Sequence, residues 1–538
     1  MTAQHGHSGT PLTGPADPEH DPSATYALDP ALARRLTGRI LSTSGETVTS
    51  TAPFTGQPIA AIPRSSVEDV DAAFERARRA QQRWSRVPLE QRAEALLRLH
   101  DLVLDRQQQI MDLVQWESGK VRKHAFEEIA HVAMTARYYA RTAKRHLAPS
   151  RRVGVYPVLT RVEVNRVPKG VVGVISPWNY PFTMALSDGL PAVLAGNAVV
   201  HKPDSQTPLT ALLGVELLEE AGIPADVWQT VYGAGAVVGG AIIDRADYVC
   251  FTGSTATGRR VAQQAAQRLI GCSLELGGKN PMLVLRDADL DRAAEGAVRG
   301  CFSSAGQLCV SMERLYVADA VYDRFVQKFL KRVQAMRLSV AMDFTGDMGS
   351  LISQAQLETV TTHVDDARAK GARVLTGGQP RPDVGPLFYD PTVLEGVAPG
   401  MTCFGDETFG PVVSLYRFAD EADAVARANE GSYGLNASIY TRDGRRGRAI
   451  ASELMCGTVN VNEPFGASFG SVDSPMGGMR DSGLGRRQGA DGVHRYTEPQ
   501  TVATQRVLPI APTAGMGDKT FARVLTGTLR LLKRTGRP

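Results

Sequence analysis

Between residues 66 and 150 apolar side chains recur at every third or fourth position. VEDVDAAFERARRAQQRW (67–84) and PLEQRAEALLRLHDLVLDRQQQIMDLVQWESGK (88–120) carry this spacing, which predicts amphipathic helices. From residue 170 the texture changes. GVVGVISPW (170–178) and NAVVHKP (197–203) are short β-branched runs closed by proline, the pattern of strands buried on both faces. The helical stretch TPLTALLGVELLEEAG (207–222) separates them from further strand signals at WQTVYG and DYVCFTG. This β-then-α alternation from 170 to 270 predicts a doubly wound sheet. It resumes after ELGGKNPMLVL: a helix at 288–304, a strand at RLYVA, a helix at 320–338, then strands at ARVLTGG, PVVSLYRF, ASIYT and GTVNVN. A second α/β domain over about 279–480 follows. PVLTRVEVNRVP (157–168) and VHRYTEPQTVATQRV (493–507) alternate like exposed strands and predict a protruding antiparallel ribbon that pairs subunits.

Both ends of the chain differ from this body. Residues 1–25 are rich in Pro, Gly, His and Asp and read as a disordered leader rather than a signal peptide. The tail 508–538 places Phe521, Val524, Leu525, Leu529 and Leu532 at helical spacing among basic residues. That suits a surface helix on a membrane or another subunit, or one packed on its own protein.

Composition adds exclusions. The 538 residues are 43% hydrophobic and 22% charged, with a net charge of +4. The basic excess is too mild for nucleic acid, and no interior basic stripe is interleaved with aromatics. Six scattered cysteines form neither a disulfide framework nor a metal-ligand spacing, so no metal site is expected, and reduced thiols in a cytoplasm fit. No apolar run reaches the roughly 18 residues of a membrane span.

The candidate chemistry sits at strand ends. PWNYP (177–181) fixes Asn179 in a turn, where its amide either caps the local backbone or donates to a developing oxyanion. HKPDSQTP (201–208) places Lys202 and Ser205 where ligands of open α/β sheets bind, although this motif alone favours a solvated lysine. FTGSTATG (251–258) does not match G-x-G-x-x-G, yet its small residues let backbone N–H groups face a phosphate. In LELGGKNP (274–281), Glu275 is a carboxylate in an apolar segment, either a base of raised pKa or the partner of a nearby lysine. GQLCVSMER (306–314) holds Cys309, either a nucleophile or apolar filler. DETFGPVV (406–413) sets Glu407 and Phe409 before a Gly-Pro turn.

PWNYP, KPxxxTP, FTGS, ELGGK, GQxC and ExFGP, in that order, closely resemble the aldehyde dehydrogenase superfamily. The resemblance covers about residues 35–510, including SPMGGMRDSGLGRRQG, with Glu275 34 residues before Cys309 and Glu407 98 after it. Through GVVGVISPWNYP, VVHKPDSQTP and LELGGKNP the chain is most similar to the NADP-dependent succinate-semialdehyde dehydrogenases of actinobacteria, second type. The resemblance implies an α/β aldehyde dehydrogenase fold. Its parts are a Rossmann-like cofactor-binding domain over 26–156 and 169–278 and a catalytic domain over 279–480. An oligomerisation ribbon spans 157–168 and 490–507, and the basic tail follows.

It also implies roles. Cys309 attacks the aldehyde, Asn179 and the Cys309 backbone N–H hold the oxyanion, and Glu275 activates water against the thioester. Lys202 and Ser205 meet the adenine ribose, Ser254 the pyrophosphate, and Glu407 the nicotinamide ribose, with Phe409 against the ring; Trp178 and Gly253 also belong to the cofactor site. Leu308 and Val310 become walls of the substrate path. Ser205 replaces the Glu of many NAD-preferring members, so NADP is expected to be preferred, with NAD possible. A homodimer or homotetramer follows from the ribbon.

The two arginines that hold the far carboxylate in well-known members correspond to Ser187 and Ser303. Ser471 corresponds to an assisting serine. Medium-chain or aromatic aldehydes are therefore the alternative substrates, and a non-catalytic homologue is the remaining class. Cys301, eight residues before Cys309, reads as a helix-core thiol or as a disulfide partner.

Overall fold

The computed structural model describes residues 28–156, 159–507, 509–513 and 515–534. The expected leader (1–25) and the first two residues of the expected ribbon lie outside them.

A six-stranded sheet runs in the order Gly483–Leu484, Gly271–Glu275, Tyr248–Thr252, Val171–Ile175, Ala198–Lys202, Trp228–Thr230. All its pairs are parallel except the two-residue edge strand Gly483–Leu484, which runs antiparallel to Gly271–Glu275. VVGVI and AVVHK are buried because helices cover both faces of a parallel sheet. Val171–Ile175 is followed in sequence by its neighbour on one side and later by its neighbour on the other. The crevice at this reversal of strand order opens beyond the carboxyl ends of these strands.

A seven-stranded sheet runs in the order Arg373–Thr376, Thr392–Glu395, Val412–Phe418, Met312–Ala318, Asn280–Val284, Asn436–Tyr440, Thr458–Val461. Only its first pair is antiparallel. Each sheet has its own core: Leu96, Val114, Val172 and Leu212 beside the first, Leu283, Phe302, Phe325 and Val413 beside the second. A smaller cluster of Tyr180, Met184, Leu308, Val310, Leu435, Phe465 and Met476 has Cys309 and Phe469 packed against it.

Helix Val67–Trp84 starts at a capping box between Ser66 and Asp69. The long periodic run after it splits into Leu89–Asp105 and Gln107–Ser118. Arg106 takes φ −96°, ψ 14° at the break, and its guanidinium pairs with Glu216 and Glu220. Apolar spacing continues across the break, so periodicity alone does not show it.

The strands expected to form a ribbon pair antiparallel over nine positions, from Thr497↔Pro168 to Gln505↔Thr160. A third, all-polar strand, Ser150–Arg152, joins them. The stretch from 490 starts as a helix, Gly489–His494, and pairing begins only at Thr497. The tail helix Asp518–Arg534 has no buried residue, with Val524 and Leu529 exposed. Among the described residues no helix is long and apolar enough to cross a membrane.

Candidate active site

The carboxyl ends of the six-stranded sheet meet the amino ends of the seven-stranded sheet around a cavity of about 270 Å³. Asn179, Glu275 and Cys309 line it, as do Trp178, Gly253, Ser254, Glu407 and Phe409. Lys202, Ser205 and Ser471 lie outside its walls.

Cys309 follows a tight turn in which Ser304 (φ 51°, ψ 36°) and Ala305 (φ 56°, ψ 34°) both adopt left-handed backbone. Such a pair of non-glycine residues is strained and persists only where its surroundings over-determine it. Here the Ser304 N–H donates to His124 Nδ1 at 3.1 Å and the Ser304 hydroxyl to Tyr180 Oη at 3.2 Å. Gln307 Oε1 accepts from the Ile352 N–H, and Asn280 Nδ2 donates to the Cys309 carbonyl at 2.8 Å. Asn280 opens the strand Asn280–Val284, so a central strand of the seven-stranded sheet anchors the thiol.

The Asn179 amide donates to the Gln307 carbonyl at 3.0 Å, two residues from Cys309. The Asn179 backbone carbonyl accepts from Lys120 Nζ at 2.7 Å, and the same ammonium pairs with Glu128. Glu128 in turn accepts the Phe182 and Thr183 N–H groups at the start of helix Pro181–Leu186. The PWNYP turn is thus tied to helix Arg122–Leu147 by a buried ion pair. Lys120 and Glu128 carry no local motif, and sequence reasoning misses them.

Glu275 ends the strand Gly271–Glu275, with Thr252 on one side and Gly483 on the other. It is buried, and its Oε1 has no hydrogen-bond partner. Burial pushes its carboxyl up to about 7, against the opposing pull of Arg487. Arg487 also lines the cavity. It donates to Asp188 at 2.6 Å, and Arg495 donates to the same carboxylate at 2.8 Å. Two buried guanidiniums on one carboxylate leave a positive excess beside Glu275. Arg487 was also missed by sequence reasoning, because its partner Asp188 lies 299 residues away.

This arrangement fixes a pH dependence. The carboxylate of Glu275 is the basic form, so water activation is expected to rise as pH climbs through about 7 and to level off above it. Arg487→Met removes the charge that holds the pKa down, so the midpoint is expected to move to higher pH in single-turnover thioester hydrolysis. An unmoved midpoint refutes the role of Arg487. The other charges facing Glu275 are Asp188, Arg495 and Arg486, which this substitution leaves in place.

The Cys309 thiol is pushed up to about 12 by burial and by the Glu275 and Glu407 carboxyls, so it is protonated at neutral pH. Glu407 accepts the Gly278 N–H at 2.8 Å and is itself pushed up to about 8 by burial. A Cβ at Gly277 would overlap the Glu407 carboxylate and force it to shift. Phe409 (φ 50°) meets the Trp178 ring edge-to-face at 5.5 Å. The turn is held by Glu313, which accepts the Thr408 and Phe409 N–H groups and pairs with Lys279.

Two features near this cavity suit a dinucleotide phosphate or ribose. Ser254 N-caps the 13-residue helix Thr255–Gln267, whose first N–H groups favour an anion. The buried Lys202 ammonium donates to the Pro203 carbonyl at 3.0 Å and has further donors to offer. Ser205 is exposed beside it, its carbonyl accepting from Tyr232 Oη.

Three other residues sit elsewhere. Ser471 is exposed and donates to the Ala467 carbonyl at 2.6 Å. Ser187 is buried against His131 Nδ1 at 3.2 Å. Cys301 is buried in the core of the second sheet and unpaired.

Among proteins of known family, the chain is 54% identical over 481 residues to a protein of Mycolicibacterium smegmatis named as a putative NADP(+) succinate-semialdehyde dehydrogenase. That alignment covers 89% of this chain and 93% of the relative. It is 36% identical to the Escherichia coli NADP(+) succinate-semialdehyde dehydrogenase GabD, covering 85% and 94%. The NAD+ complex of an aldehyde dehydrogenase from Bacillus cereus superposes with a TM-score of 0.83 at 32% identity, covering 87% and 94%. Residues 40–502 match the Aldehyde dehydrogenase family. With the Cys309 thiol, the Asn179 amide and the buried Glu275 carboxylate gathered in one cavity, the chain belongs to the aldehyde dehydrogenase family.

Proposed function

We propose that this enzyme oxidises succinate semialdehyde to succinate with NADP, NAD being a poorer substitute. One observation carries the reaction: Cys309, Asn179 and Glu275 line a single cavity. The names of the relatives support the substrate and the cofactor.

Cys309 Sγ forms a bond to the aldehyde carbon as its proton passes to water, and the carbonyl π bond opens onto the oxygen. The Asn179 amide and the Cys309 N–H stabilise the oxyanion of the thiohemiacetal. Trp178 and Phe409 would stand beside a bound nicotinamide ring, which would supply the hydride acceptor needed to oxidise the thiohemiacetal to a thioester. Glu275 then takes a proton from water, whose oxygen attacks the thioester carbon. The C–S bond breaks, succinate leaves, and the thiol is restored. Lys202, Ser205, Gly253, Ser254 and Glu407 are the groups that would hold the nucleotide. Ser205 brings no carboxylate to repel a 2′-phosphate, and Lys202 attracts one.

We assign cofactor binding to the part bearing the six-stranded sheet and catalysis to that bearing the seven-stranded sheet. The exposed face from Glu498 to Thr504 supports pairing into a homodimer or homotetramer through the ribbon; a single-chain mass by light scattering would remove this assignment. The exposed tail helix supports contact with a further surface, a subunit or a membrane. Six unpaired cysteines suit a cytoplasm.

The test is a kcat/KM panel of succinate semialdehyde, butanal and benzaldehyde with both cofactors. Succinate semialdehyde is expected to lead butanal, and NADP to lead NAD, each by about tenfold, the worth of one charge-assisted hydrogen bond. Indifference to the carboxylate shifts the substrate to uncharged medium-chain or aromatic aldehydes, and a tenfold lead of NAD removes the cofactor assignment.

A further inference from the structure

The cavity at Cys309 is the innermost of three that share walls. Tyr180, Leu308, Val310 and Phe469 line both it and a second cavity of about 200 Å³. The second shares Glu127, Arg299 and Glu463 with an outer cavity of about 650 Å³. An aldehyde group at Cys309 therefore leaves its tail in the middle section. That section is walled largely by Ala130, Met134, Phe465 and Phe469.

Its charged groups decide what tail it accepts. His131 stacks on Phe469 at 4.3 Å, and burial holds it at about 3, so it is neutral at working pH. Glu127 already accepts the Tyr180 hydroxyl at 3.0 Å. Glu463 accepts the Gly466 N–H through Oε1 and an Arg299 Nη2 proton through Oε2, the latter at 2.5 Å. Arg299 is the one permanent cation among the residues lining this section. It stands in the last turn of helix Leu290–Phe302, four residues before Ser303 and on the same side. Ser303, where a carboxylate-binding arginine was expected, lines only the outer cavity, and its buried hydroxyl has no partner. The Arg299 side chain is 52% exposed, and a guanidinium has five N–H donors, so it can turn from Glu463 toward a ligand.

We propose that Arg299 determines specificity by receiving the far carboxylate of an acidic aldehyde, exchanging Glu463 for the substrate. This rests on the acidic-substrate reading above. It places the missing cation one helical turn before Ser303.

The test compares wild type, Arg299→Gln and Glu463→Gln on succinate semialdehyde and on butanal. Arg299→Gln is expected to lose roughly tenfold or more in kcat/KM for succinate semialdehyde, through KM, with butanal changed less than about threefold. Glu463→Gln keeps an acceptor for Gly466 but frees the guanidinium, so its KM for succinate semialdehyde is expected to fall. Butanal turnover reports whether each variant has folded. If wild type favours the acidic aldehyde and Arg299→Gln favours it equally, the inference is overturned while the substrate reading stands. A raised KM in Glu463→Gln also overturns it. If wild type shows no preference, the substrate reading itself fails and takes this inference with it.

Discussion

Cys309→Ala is expected to lose aldehyde oxidation by at least about 10⁴-fold in kcat, the scale seen when a covalent nucleophile is removed. Nothing near it can substitute. Cys301 is buried in a hydrophobic core, and Ser304 and Ser311 donate to neighbouring groups. Nucleotide binding is expected to persist, because the strand-end groups around Lys202 and Ser254 do not touch the thiol loop. Stopped-time assays of reduced nucleotide, beside a fluorescence titration of nucleotide binding, measure both halves. Retained oxidation would refute covalent catalysis by this thiol, and joint loss of binding would point to a collapsed site.

Glu275→Gln separates the two halves of the reaction. Acylation needs no base at this position once the thiol has reacted, so the first turnover proceeds and hydrolysis stalls. A burst of reduced nucleotide, one per subunit, is expected. A steady state lowered by roughly 10²–10⁴-fold follows, the range of general base catalysis. The trapped acyl group is visible as a mass increase on the intact chain. The substitution keeps shape and removes charge, and Oε1 has no hydrogen-bond partner to lose, so folding is expected to survive. Steady turnover without a burst would show that another group activates the water.

Much of the site was legible because its chemistry lies at strand ends, where short local motifs stand for fixed positions. Asn179 follows one strand, Glu275 closes another, and Cys309 precedes a third. Family resemblance then joined motifs that were weak singly. What stayed hidden depends on pairs distant in sequence. Asp188 and Arg487, or Lys120 and the Asn179 carbonyl, meet only after folding. Arg299 carries no motif, and its place in the walls of the middle and outer cavities arises only on folding. In the fold, β-branched runs located the buried strands well. The break at Arg106 and the polar strand Ser150–Arg152 follow from tertiary pairing and left no periodic trace. Ser471 matched its motif but turns its hydroxyl to its own backbone.

The left-handed pair before the nucleophile sets thermal resilience against reactivity. Ala305→Gly would relieve about 1 kcal/mol of steric strain, part of which returns as entropy of the unfolded chain. The same change would free the backbone that aims the thiol. A heat-hardened descendant of this enzyme that relaxed this turn would gain its extra degrees at the expense of turnover. The useful stabilising substitutions lie elsewhere, on exposed helix faces away from the site and the ribbon, such as that of Val67–Trp84.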